Sequence, residues 1–198
     1  MKKIIILLIA FKVVVYAFDS TGDSYVNLFG FQVNKTTLSE VQKKIGGASV
    51  ITDGDAGNSS KRINYFIKKS NCYITFDVSE MGGDETITAF ILSSQKPNES
   101  FTEIKTLDLS PCDIGGLHLG MDFDDLKRIF GKDLKSYNNQ PYIHFEKQIP
   151  LTEKEIVNLT KHGVDVPKGA CAIESTSIMI SLQKNKAFKI VVMRNKSY

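Results

Sequence analysis

The chain has no Cys-x-x-Cys pair, no His-x-x-x-His pair, no glycine-rich phosphate loop, no nucleophile elbow and no dinucleotide fingerprint. The first two absences remove the spacings that hold zinc, and the others remove the signatures of nucleotide, hydrolase and dehydrogenase chemistry. No metal and no cofactor are expected. "DGDAG" at residues 53–57 matches a fragment of a calcium loop, but the closing glutamate is missing at the required distance. The acids Asp122, Asp124 and Asp125 open a predicted helix, where carboxylates sit favourably against the N-terminal dipole without any metal.

A basic stripe is lacking too. Removing residues 1–17 takes away three of the 25 basic residues and none of the 22 acidic ones, leaving a formal charge of zero. The remaining basic clusters, Lys61-Arg62 and Lys68-Lys69, are short and fall on predicted strands, so nucleic acid is not an expected partner.

What is present at the start is an address. Lys2 and Lys3 precede an apolar run over residues 4–18, interrupted by Lys12, and Val15-Tyr16-Ala17 offers small residues to a signal peptidase. A membrane span needs about 20 uninterrupted apolar residues, and a central lysine costs roughly 2.5–3.5 kcal/mol on insertion scales. Residues 1–17 therefore read as a cleavable signal, with no stable membrane span after cleavage and a periplasmic or secreted destination. No cysteine follows the run, so a lipid anchor is not expected. The short Lys-Lys signal reads as bacterial, which leaves the Asn-x-Ser/Thr sites at Asn34, Asn58, Asn98, Asn158 and Asn195 without a glycan role.

Export makes three cysteines informative. Cys72, Cys112 and Cys171 are an odd number, so at most one internal disulfide forms. The favoured pair is Cys112 with Cys171, both in the second half, a closure worth roughly 4 kcal/mol. The alternative is Cys72 with Cys112, leaving Cys171 buried and inert.

The organising pattern is a return. "GFQVNKTTLSEVQKKIG" at residues 30–46 comes back as "GLHLGMDFDDLKRIFG" at residues 116–131. In the first copy Phe29, Phe31 and Val33 alternate with polar residues as a strand does. Thr37 and Glu40 then form a capping box, Leu38, Val41 and Ile45 make a helical stripe, and Gly46-Gly47 ends it. In the second copy Leu117 and Leu119 alternate with His118, Asp122 caps, Phe123, Leu126 and Phe130 form the stripe, and Gly131 closes. Strand patterns follow each helix, over residues 63–69, 72–79 and 86–94, then over 142–147, 173–183 and 188–194, with Lys184-Asn185-Lys186 as a hairpin turn.

The predicted fold is α+β, built from two tandem repeats of strand, helix and three antiparallel strands, with each helix on one face of its sheet. The first repeat spans residues 18–95 and the second 112–198, joined by a linker over 96–111 in which "SFTEIKTLDLS" can add an edge strand. A short helix capped by Thr152 and Glu155, with Ile156 and Leu159 on one side, is inserted near 152–163.

The tandem of strand, Gly120-Met121-Asp122 turn, capped helix "DFDDLKRIFG" and meander resembles the SmpA/OmlA superfamily, with its envelope-assembly lipoproteins and tandem-repeat β-lactamase inhibitor proteins. The first copy departs from it, carrying Lys35-Thr36-Thr37 where the second has Gly-Met-Asp, and the lipidation cysteine is missing. The resemblance implies a periplasmic or secreted binding module without catalysis.

Catalytic residues are expected to be none. His118 falls on the polar side of its strand, His144 points away from the core, and His162 ends the inserted helix, where a cation complements the dipole. A hydrolase using one histidine and the unpaired thiol would need a reduced cysteine within hydrogen-bond reach of an imidazole, which no spacing here demands. Strand parity instead names a candidate contact face. Cys72, Ile74, Phe76 and Val78 point inward, so Tyr73 and Thr75 point outward, and parity puts Tyr142, His144 and Met179 on the outward face of the second half. Tyrosine and methionine make adaptable contacts. The expected partner is another protein, such as a secreted or periplasmic enzyme held by an inhibitor or immunity protein. An envelope assembly or scaffold protein and a small-ligand carrier are the other readings.

Overall fold

Alternating apolar and polar residues write the central sheet, and tight turns decide where each strand stops. The computed structural model describes residues 21–54, 59–79, 85–104 and 112–198. The predicted signal, residues 55–57 of the calcium-like fragment and residues 105–111 of the predicted linker lie outside them.

A short hairpin comes first, β1 (Asn27–Leu28) and β2 (Phe31–Gln32), followed by helix α1 (Leu38–Ile45) and strands β3 (Ile51–Asp53), β4 (Ser60–Ile67), β5 (Cys72–Val78) and β6 (Ala89–Ser93). After β7 (Thr102–Glu103) a second hairpin, β8 (Asp113–Ile114) and β9 (Leu117–His118), leads into α2 (Phe123–Phe130) and β10 (Lys135–Tyr137). Strand β11 (Gln140–Pro150), helix α3 (Glu153–Lys161), β12 (Cys171–Gln183) and β13 (Lys186–Ser197) complete the chain. The α+β expectation holds, with three helices and one large antiparallel sheet among the described residues. None of these helices is long and apolar enough to cross a membrane.

The sheet runs β10-β11-β12-β13-β6-β5-β4-β3, and β7 adds to β4 in parallel beside β3. The strands after α1 and those after α2 therefore form one surface, joined where β13 pairs antiparallel with β6, Val192 opposite Phe90. Four strands of the main path follow each helix in place of the three expected, and β7 joins from the predicted linker. The extra ones, β3 and β10, are three-residue rim strands with mostly exposed side chains, so they carry no burial alternation to read.

One face of this sheet is the core. Ile63, Phe76, Phe90, Val192, Ile178 and Ile143 stand directly opposite one another across six strands, all fully buried. Tyr65, Ile74, Leu92, Ile190 and Ile180 form the next row. Burying each such side chain contributes about 1.5–3 kcal/mol. Leu38, Val41 and Ile45 of α1 and Leu126 and Phe130 of α2 belong to the same continuous core. Phe123, expected in the stripe of α2, is 41% exposed, whereas Leu38 at the matching first position of α1 is buried.

Both helices start alike. Thr37 and Glu40 form the expected capping box, and Asp122 forms one with Asp125. Each cap also bridges to the approach of the last strand in its half, Thr37 to Thr86 and Asp122 to Lys186. The hairpins correspond as well, because Asn27 Oδ1 accepts from the Gly30 amide and Asp113 Oδ1 from the Gly116 amide. The strand predicted through Phe29 is instead the turn of the first hairpin, where Phe29 sits at φ +56° and Gly30 at +83°. The Asx turn pulls those two residues out of line.

The N-terminal turn Asp23–Val26 crosses into the second half. Tyr25 stacks on Phe145 and meets Phe130, with both ring centroids 5.7 Å away. Gly115 is what admits it: a Cβ there would lie 2.8 Å from the Tyr25 ring, and φ is +60°.

The disulfide overturns the favoured pairing. Cys72 bonds Cys112, both buried, and Cys171 is free and exposed rather than buried. Cys72 lies at the β5 end that aligns with Ser181 on β12, whereas Cys171 opens β12 opposite Pro150. About ten residues of strand, roughly 30 Å, separate those levels, beyond any disulfide's reach. An internal disulfide is compatible with an oxidising compartment.

Helix α3 forms where expected but buries no residue, and Ile156 is 38% exposed. A carboxylate holds it. Glu155 accepts from Lys196 Nζ, from the Thr152 amide and hydroxyl at 2.8 Å, and from the Tyr198 hydroxyl at 2.9 Å. The Lys196 hydrogen bond chiefly, with help from Thr152 and Tyr198, pulls the Glu155 carboxyl down from 4.5 to about 2. A lowered carboxylate stabilises the fold above its unfolded pKa and loses that contribution as pH falls through the folded value. Docking of α3 is thus expected to be intact at pH 5 and to loosen between about pH 4.5 and 2. The Tyr198 ring resonances in an acid titration followed by NMR check this, and an unchanged ring environment at pH 2 would contradict it.

Candidate functional site

The side of the sheet opposite the core carries all five residues chosen by parity. Tyr142, Met179, Val191, Ile91 and Thr75 stand in one row, each opposite the next, from β11 to β5. Four strand spacings separate its ends, about 19 Å. His144, Ser177, Met193, Ala89, Asp77 and Arg62 form the neighbouring row. Tyr73 lies in a third row, opposite Ser93 and, across that, Lys189.

The half built on β11–β13 holds a polar cluster. The Tyr142 hydroxyl lies 3.0 Å from His144 Nδ1 and 3.2 Å from Ser177 Oγ, and Ser177 Oγ lies 3.0 Å from the same Nδ1. On the other side of the imidazole Nε2 is 2.9 Å from Glu146 Oε1. The imidazole thus bridges the carboxylate on its Nε2 side and the two hydroxyls on its Nδ1 side. The imidazole is thereby fixed edge-on between Glu146 and the two hydroxyls, and its ring stacks near that of Tyr142 at 6.0 Å.

The half built on β4 and β5 is different, because part of the predicted linker lies over it. Phe101 meets both Phe66 and Tyr73, which stack on each other at 4.5 Å. Glu99 accepts from Arg62 Nε at 2.8 Å and from Asn64 Nδ2 at 3.2 Å, and Asn64 accepts the Thr75 hydroxyl at 2.7 Å. Asp53 pairs with the same guanidinium. The Arg62 hydrogen bond holds the Glu99 carboxyl below the usual range, and Glu99 in turn raises Arg62. Burial pushes Asp77, in the same row, upward. All five are half-buried, but Tyr73 packs on Phe66 and Phe101 and Thr75 donates to Asn64 beneath that tract, whereas no such segment lies over Tyr142, His144 and Met179 among the described residues.

The remaining chemistry-bearing residues are scattered. Cys171 Sγ faces the Gly169 carbonyl and stands six residues along β12 from Ser177, about 20 Å from the His144 row. His118 bonds the Leu119 carbonyl, and His162 donates to the Asn158 carbonyl at 2.8 Å, as an ordinary helix end does. Among the described residues there is no group of three or more potential metal ligands. Ser177 was the member of the cluster that sequence reasoning missed. It shares parity with Met179, but only the β11–β12 register shows that it faces His144. No family model, no curated protein and no solved structure matches the chain.

Proposed function

We propose that the chain is an exported, non-catalytic protein-binding module of the bacterial envelope whose contact surface is the outward sheet face over β11–β13. An inhibitor or immunity protein against a secreted or periplasmic enzyme is its concrete form, and an envelope scaffold is the variant of the same reading. The observation that carries it is the row Tyr142–Met179–Val191–Ile91, half-buried aromatic and aliphatic side chains aligned across four strands beside a fixed polar cluster. Apolar centres with polar neighbours are how protein interfaces are composed.

The same reading takes the two halves as copies of one unit, each with its helix on one face of its own four strands. The matching hairpins, capping boxes and cap bridges support duplication, as does the mirrored strand order about β13 and β6. Kinship with the SmpA/OmlA superfamily belongs to the proposal as well.

The test is capture of a secreted enzyme from an envelope extract by the tagged, disulfide-intact chain lacking residues 1–17, repeated with Tyr142→Ala and Met179→Ala. Central contacts of this type cost about 2 kcal/mol when truncated, so each variant should weaken binding about 30-fold while keeping the wild-type melting profile. Undiminished capture by the double variant would sink the sheet-face proposal.

A second reading has one observation in its favour, the line Ser177–His144–Glu146, which has the connectivity of a hydrolase triad. Against it, β12 lies between β11 and β13, so the Ser177 amide is committed to the ladder and cannot serve an oxyanion. Labelling by a fluorophosphonate that disappears in Ser177→Ala would favour this second reading over the first.

A further inference from the structure

Where β13 runs out, an open cavity of about 890 Å3 lies between α3, the last residues of β13 and the approach to β6. That lies within the span of small-molecule sites, about 300–1,000 Å3. The lining is unlike a lipid or drug pocket. Side-chain amides and hydroxyls come from Asn34, Thr86, Asn158 and Asn195, and Val157 is the lone aliphatic residue.

The charges in the cavity sort into spent and unspent. Arg194 is 8% exposed and is answered by Asp23 and Glu174, and its Nε donates to Thr176 at 2.8 Å. Lys196 is answered by Glu155, the only acid in the lining among the described residues. Lys154 and Lys161 have no ion pair among the described residues, and both line the cavity. They lie seven residues apart on α3, two turns, so about 10 Å separates them along the helix. Between them, on the same face, stand the Asn158 amide and the Val157 side chain, which is 53% exposed. Tyr198 offers a ring to the cavity with its hydroxyl already bonded to Glu155.

We infer that this cavity binds an acidic oligosaccharide about two sugar units long. Two lysines rooted about 10 Å apart on the helix carry long flexible stems, so their ammonium groups can converge on carboxylates of successive sugars. The asparagine and threonine side chains supply the mixed donors and acceptors that sugar hydroxyls need. Val157 and the Tyr198 ring supply the apolar surface on which the C–H face of a pyranose rests. A lipid would leave the amides unpaired, and a compact anion would leave the apolar surface unused. The site is built from α3 and the end of β13, and none of its residues is among those proposed to contact a protein partner, so it stands or falls apart from that reading.

Calorimetric titration of the full disulfide-bonded chain with digalacturonate tests the inference, with maltose, suberate and tripolyphosphate as comparisons. Digalacturonate should bind at least about tenfold more tightly than each of the three, a difference of 1.4 kcal/mol. Lys154→Met and Lys161→Met should each weaken it about fivefold, the effect of one exposed charge contact near 1 kcal/mol. Shifts of the Asn34, Asn158 and Asn195 side-chain amides in NMR spectra should accompany binding. The inference is overturned if digalacturonate does not bind, if suberate or tripolyphosphate binds as well, or if the double lysine variant, still folded by its melting profile, binds undiminished.

Discussion

Replacing Cys72 and Cys112 together with alanine is expected to cost roughly 4 kcal/mol of folding stability, because the bond closes a loop of 40 residues that otherwise stays open in the unfolded chain. In a chain of this size that corresponds to a melting temperature roughly 8–16 °C lower. The bond also ties the start of β5 to the start of the second hairpin, so its loss removes the one covalent brace between the two halves beyond the backbone. Both sulfurs are buried, so mild reductant should act slowly on the native protein and quickly once it is heated. Cys171→Ser, at an exposed position, should change stability by no more than about 0.5 kcal/mol. Thermal melts of the three proteins with and without reductant decide the matter. A double variant that melts with the wild type would contradict the disulfide.

Phe76→Ala should be comparably damaging, at about 3–5 kcal/mol. Phe76 is fully buried on β5 and meets three rings nearly edge-on, Phe31 of the first hairpin at 5.4 Å, Phe90 of β6 at 5.6 Å and Tyr65 of β4 at 6.1 Å. No single neighbour can swing into the space, since each is fixed by its own element, so the cavity persists. Urea unfolding should show a lower midpoint with an unchanged slope, the mark of a stability loss without a change in the unfolded chain. Phe123→Ala, at a helix start with 41% of the residue exposed, is the comparison and should shift stability by about 0.5 kcal/mol or less.

The contrast between those two phenylalanines also measures what the sequence makes legible. Parity along β5 assigns Phe76 to the core from alternation alone, because a strand has only two faces. Helical periodicity gave Phe123 the same status as Leu38, the first residue of α1, yet Leu38 is buried and Phe123 is exposed, because a stripe position does not say whether the sheet reaches that end of the helix. The capping pairs at Thr37, Asp122 and Thr152 were readable because a cap is a local exchange of hydrogen bonds. Cysteine pairing was not, because it depends on which strand ends lie level, and register is set by the whole sheet. The candidate face shows the same division. Parity put Tyr73, Thr75, Tyr142, His144 and Met179 outward, but whether an outward side chain stays accessible depends on Glu99 and Phe101. Those two residues sit in a tract whose sequence reads as a linker. Glu99 and Phe101 are held by contacts to Arg62, Asn64 and Tyr73, which no local pattern shows, while the edge strand that the tract's sequence suggested is β7, paired with β4.

The rims of the sheet have a consequence for association between chains. Eight strands in one antiparallel path would be a template for chain-to-chain polymerisation if the outermost ones were long and apolar. Here the path ends at both sides in three-residue strands, Lys135–Tyr137 and Ile51–Asp53, and the long strands β11, β12 and β13 are paired within the sheet. Because β10 pairs only residues 140–142 of β11, the outer edge of residues 143–150 is the longest rim without a strand partner among the described residues, and it carries Glu146, Lys147 and Pro150, which discourage strand addition. The sheet is thus guarded at that edge by charge and proline, and elsewhere by the shortness of its rim strands.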